Sequence, residues 1–102
     1  MEPQFTGILT IKEGDKYQAQ SRFVEAKQLF ESALAITKTT SRRKEEAVAH
    51  GRLGNFCNIL LEKQKAKEHH ENALDIAIEI GNRQGEGTSY GNLELVDRKS
   101  VV

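Results

Sequence analysis

The sequence predicts an all-α chain of about five helices set as antiparallel pairs. An internal repeat at an offset of 40 residues points to this, together with an apolar rhythm of three- and four-residue steps inside each copy. A further observation works by exclusion: no stretch sustains the alternation expected of a half-buried strand.

The repeat appears when the chain is laid on itself. Ala26-Lys27 meets Ala66-Lys67, Glu31 meets Glu71, Ala33-Leu34 meets Ala73-Leu74, and Ile36 meets Ile76. In the same register Gly14 meets Gly54, Arg43 meets Arg83, Glu46 meets Glu86, Gly51 meets Gly91 and Leu53 meets Leu93. The matches cluster on small and apolar positions, where helix packing constrains side-chain size. The units span about 8–41, 42–81 and a partial 82–96, between an N-terminal tail (1–7) and a C-terminal tail (97–102).

In the first unit, Val24, Ala26, Leu29, Phe30, Ala33, Leu34 and Ile36 form the apolar stripe of an amphipathic helix. The second unit opens with a helix from about Arg42 to Leu61, through Ala47, Val48, Leu53, Phe56, Cys57, Ile59 and Leu60. A second stripe follows at Ala66, Ala73, Leu74, Ile76, Ala77 and Ile80. Gly81-Asn82 is a stop and restart, glycine for the left-handed turn and asparagine for the cap. Thr39-Thr40-Ser41 is expected to supply a hydroxyl cap one repeat earlier. Gly14, Ala26 and Ala33, with Gly54, Ala66 and Ala73, are the expected points of close helix approach, and Tyr17 and Phe30 provide bulk beside them. The third unit has one helix, so Tyr90, Leu93, Leu95 and Val96 are expected to leave an apolar stripe uncovered.

Composition narrows function. Lys and Arg number 15, as do Asp and Glu, so no net field favours nucleic acid or an anionic membrane. The 37% hydrophobic content is low for one globule and suits an array in which each layer covers only its neighbours. The start Met1-Glu2-Pro3-Gln4 has no signal-like core, and Cys57 is the single cysteine, so a cytoplasmic location is expected. The basic run Arg42-Arg43-Lys44 is followed by Glu45-Glu46, which cancels it.

No catalytic or cofactor motif appears, and an enzyme is not expected. Cys57 stands where the first unit has Tyr17, a core position in which a thiol is inert. His69 and His70 point about 100° apart on one helix and do not readily share a metal ion. His70 takes the place of Phe30 and is expected to pack, with His69 facing water. His50 and Cys57 are too far apart along a helix to share a ligand. No metal site is expected. The ending Ser100-Val101-Val102 has the hydroxyl-x-valine form that strand-adding domains capture, although a frayed or truncated tail is the commoner explanation of three such residues.

The residues Gly14, Tyr17, Ala26, Phe30 and Ala33, then Leu53, Gly54, Cys57, Ala66, His70 and Ala73, resemble the tetratricopeptide repeat family. The 40-residue period and the run Ala73-Leu74-Asp75-Ile76-Ala77-Ile78-Glu79-Ile80-Gly81-Asn82-Arg83 look like its Pins-type spindle-orientation adaptors. Cys57, Lys63 and His70 depart from the aromatics usual there. The resemblance implies a right-handed α-solenoid whose first helices line a concave face that receives a protein or peptide partner. Carried onto this chain, that face offers Asp15, Gln18, Arg52, Asn55, Asn58, Ile59, Thr88 and Asn92.

An asparagine there can hold a partner's backbone amide through both donor and acceptor, and Arg52 can grip a carboxylate with two bonds. The same positions also read as solvated surface, or as caps at Asn55 and Asn92. The clamp that some family members use for chaperone tails is not expected, since Ile11, Asp15, Arg52, Thr88 and Asn92 occupy its places. The rival reading is self-association, a homodimer or domain swap through the uncovered third unit.

Overall fold

In a computed structural model that describes residues 3–98, the chain folds as five α-helices with no strand among the described residues. They are α1 (Pro3–Ala19), α2 (Phe23–Thr39), α3 (Arg43–Ile59), α4 (Lys63–Glu79) and α5 (Arg83–Arg98). Helix starts fall every 20 residues, so the 40-residue repeat is two equal helix-and-turn steps. Both outer helices run beyond the expected units: α1 starts at Pro3, where proline's fixed φ suits a first helical position. The Ser100-Val101-Val102 ending lies outside the described residues.

One turn serves four times. The backbone N–H groups of Arg22, Arg42, Glu62 and Asn82 donate to the carbonyls of Tyr17, Thr37, Cys57 and Ala77 at 2.8–2.9 Å. The residue before each donates to Gln18, Lys38, Asn58 or Ile78, completing a Schellman closure. Ser21, Ser41, Leu61 and Gly81 take the left-handed conformation this closure needs, with φ of 61°, 57°, 63° and 70°. The carbonyls of Arg22, Arg42, Glu62 and Asn82 then accept the first bond of the next helix, from Ala26, Ala66 and their counterparts Glu46 and Glu86. One residue thus closes a helix and opens its successor.

The expected helix to Leu61 therefore ends at Ile59, because Leu61 has left the helical region. The hydroxyl cap expected from Thr39-Thr40-Ser41 is also corrected. Arg42 holds the N-cap position and its side chain does not cap the helix, while the threonine hydroxyls donate back to Ala35 and Ile36. Gly81-Asn82 behaves as expected: Asn82 Oδ1 accepts from the Gly85 N–H at 3.1 Å.

Each helix folds back on the one before it. Gly7 lies against Thr37 and Gly14 against the Phe30 ring, an antiparallel register in which a Cβ at Gly14 would stand 2.6 Å from the ring. Gly54 meets the His70 ring at the same 2.6 Å, so the second pair repeats the approach of the first. Ala26, Phe30 and Leu53 join α2 to α3, with Tyr17 and Leu34 packed against them. Ile11, Ala33 and Ala49 join α1, α2 and α3, and Cys57, Ala66 and Val96 join α3, α4 and α5. Beyond sequence neighbours, only α1 with α3 and α3 with α5 touch among the described residues.

Three apolar expectations change: Ile80, expected on the second stripe, is exposed at the residue that follows α4. Val24 is 69% exposed and lies off the α2 stripe, while Val96 is buried and does not belong to an uncovered face. The 20-residue step accounts for Val96, since it turns the last turns of α5 onto Cys57 and Ala66.

Candidate functional site

The first helices α1, α3 and α5 lie side by side, and their shared surface contains most of the expected partner-binding residues. Between α1 and α3, Arg52 Nε donates to Asp15 Oδ1 at 2.7 Å and its Nη2 to Oδ2 at 3.2 Å. The fork expected to hold a partner's carboxylate is thus engaged within the chain. Both side chains are 39% exposed, so the pair contributes at most about 1 kcal/mol and serves mainly to orient Arg52.

Two hollows flank that pair. One, of about 480 Å³, is bordered by Asp15, Gln18, Ala19, Arg52 and Asn55. The other, of about 370 Å³, lies between α3 and α5 over Ala73 and Ala77 of α4. Val48, Gly51, Arg52, Asn55, Thr88 and Asn92 line it, with Lys44 and Gln84 also at its edge. It stays open because Ala47, Gly51, Ala73, Ala77 and Gly85 carry little or no side chain. Arg52 and Asn55 form the ridge between the two hollows.

Six of the expected residues therefore come together: Asp15, Gln18, Arg52, Asn55, Thr88 and Asn92. Asn58 and Ile59 line neither hollow. Ile59 is exposed at the last residue of α3, and Asn58 is half-buried with its Oδ1 enclosed and unpaired. Lys44 and Gly51 were not anticipated, yet with Val48 and Asn55 they complete the four- and three-residue steps of one α3 face.

A second constellation lies elsewhere on the α3–α4 pair. His69 is half-buried, not facing water, and its Nδ1 lies 3.0 Å from Nδ1 of His50. Burial is the main force lowering both basicities. His50 is pushed down to about 4, with further contributions from His69, Lys38 and Arg43. For His69 burial outweighs the opposing pull of Glu68 and Glu31. His70 packs against Gly54 as expected; burial lowers its pKa too, and its Nδ1 is enclosed without a partner.

Ion pairs brace the same two helices. Arg43 donates to both carboxylate oxygens of Glu79 at 2.9 and 2.7 Å and to Glu46 at 2.8 Å, tying the start of α3 to the end of α4. Arg42 lies 3.6 Å from Glu45. Cys57 is buried, and that burial raises its thiol pKa, so the reactive thiolate is disfavoured.

No protein-family model matches the chain, and no curated protein matches its sequence significantly. Among the described residues, no helix is long and apolar enough to cross a membrane.

Proposed function

We propose that this chain is a protein–protein interaction module: a tetratricopeptide-like, right-handed α-solenoid that serves as an adaptor or scaffold in the cytoplasm. In this reading its first-helix face holds an extended or helical segment of a partner protein. The observation that carries the reading is the α3–α5 hollow, floored by alanines and edged by Arg52, Asn55, Thr88 and Asn92. Small residues leave the space, and amide and hydroxyl groups at its rim match a peptide backbone. Arg52, paired with Asp15, stands beside them. No catalytic step, cofactor, nucleic acid or membrane enters the proposal.

Gly51 provides the test. A Cβ there meets nothing within 4 Å, so Gly51→Leu fills the hollow without disturbing helix packing. Affinity capture with this variant, and with Asn55→Ala/Asn92→Ala, is expected to retain the wild-type partners at least tenfold less well. Equal retention by both variants would sink the groove assignment.

Self-association remains the second reading, because Tyr90 and Leu95 are 54% and 51% exposed on α5. Sedimentation separates the two. A dimer that Leu95→Lys dissolves supports self-assembly, and a strict monomer removes it.

A further inference from the structure

The α3–α4 pair holds two imidazoles whose Nδ1 atoms face each other at 3.0 Å, with ring centroids 5.3 Å apart and planes tilted by 41°. We propose that His50 and His69 form a two-nitrogen chelate for a tetragonal divalent transition-metal ion, of the copper(II) or nickel(II) class. The bound ion would tie α3 to α4.

The nitrogen spacing, that of an imidazole–imidazole hydrogen bond in the metal-free chain, also fits this metal class. With metal–nitrogen bonds of about 2.0 Å, a 3.0 Å separation corresponds to a nitrogen–metal–nitrogen angle of about 97°. That is near the right angle of a square-planar or tetragonal site. A tetrahedral zinc site, at about 109°, would need the nitrogens roughly 3.3 Å apart. Among the described residues no third His, Cys, Asp or Glu joins the pair as a ligand, so a bound ion would keep water at its remaining positions. This too suits copper(II) or nickel(II) better than a closed zinc site.

The proton inventory fits as well. Two neutral rings at this distance share one proton, with one Nδ1 donating and the other accepting. Metal binding moves that proton to Nε2 of the same ring and exposes a lone pair on each Nδ1, with no net proton released. Burial already favours the neutral rings that bind metal. The adjoining hollow brings Lys38 and Arg43 together with Glu46 and Asp75. Glu46 and Glu79 hold the Arg43 guanidinium, and Glu68 and Glu31 act on His69 in the sense that favours a cation, whereas Lys38 and Arg43 act on His50 in the opposite sense. None of these residues borders the α3–α5 groove, so the site is independent of the partner face.

The test titrates Cu2+, Ni2+ and Zn2+ separately into the full chain by calorimetry, and follows thermal melting at saturating metal. One ion per chain is expected, bound in the order copper, nickel, zinc. Copper at about 100 times its Kd should raise Tm by on the order of 10 °C. His69→Gln, at a half-buried position, and His50→Gln should each weaken copper binding at least tenfold. Far-UV circular dichroism of the metal-free variants checks that they fold, and His69→Gln decides if His50→Gln does not. Absent binding at 100 µM copper, unchanged affinity in folded His69→Gln, or zinc binding tighter than copper would each overturn the proposal.

Discussion

The two complete hairpins share a backbone plan and fill it differently. In α1–α2, Gly14 opens a slot for Phe30, which is fully buried and has no polar atom to satisfy. In α3–α4, Gly54 opens the same slot for His70, which is equally enclosed but leaves Nδ1 without a partner. The closing turns differ as well: Ser21 takes the left-handed position in the first hairpin, and the bulkier Leu61 takes it in the second. The comparison shows that the repeat preserves shape more strictly than chemistry. Buried polar atoms concentrate in the second hairpin, while both closing turns hold a non-glycine residue in the left-handed region.

The largest expected difference comes from emptying the two slots. Phe30→Ala should cost about 3–5 kcal/mol in urea unfolding, as deletion of a buried aromatic does. His70→Ala should cost clearly less, because it also removes an unpaired nitrogen. Equal losses would erase the distinction between the hairpins. His70→Phe sharpens it from the other side. Importing the first hairpin's ring removes a buried unsatisfied atom and should stabilise by about 1–2 kcal/mol. A loss on unfolding would mean that the second slot has closed around the smaller ring. The smallest effect belongs to the turn. Leu61 is 68% exposed at φ 63°, so Leu61→Gly gives up little packing and relieves a conformation costing about 1 kcal/mol. Its Tm should rise by about 4–8 °C, and an unchanged melt would show that the turn carries no strain.

Much of this contrast was legible beforehand. Gly14, Gly54, Ala26 and Ala66 recur at 40 residues because close helix approach limits side-chain size wherever it is repeated. The substitution of His70 for Phe30 follows directly from that alignment. The turn at Leu60-Leu61-Glu62 was not legible, since it has no glycine, asparagine or proline to mark it. Its backbone closure is supplied by hydrogen bonds that any residue can make. The meeting of His50 and His69 was not legible either, since it depends on how α3 and α4 cross and His69 reads from its own helix as a water-facing residue. The groove was half visible. Asp15, Gln18, Arg52, Asn55, Thr88 and Asn92 follow from the family resemblance, which assigns the first helices to the concave face, whereas the Arg52–Asp15 pair depends on the lateral spacing of helices in different units. Asn58 fell outside because a helical face is a stripe and not the whole helix.

The residue shared by successive helices has a consequence for how such a chain can change. Arg22, Arg42, Glu62 and Asn82 each serve two masters, so a connection has no slack residue to gain or lose. A single insertion there would swing every later side chain by about 100° around its axis. Copying a whole unit, by contrast, brings its own hinge and leaves an unblemished seam. Growth by duplication is therefore the easy path, and growth by one residue at a time is the difficult one.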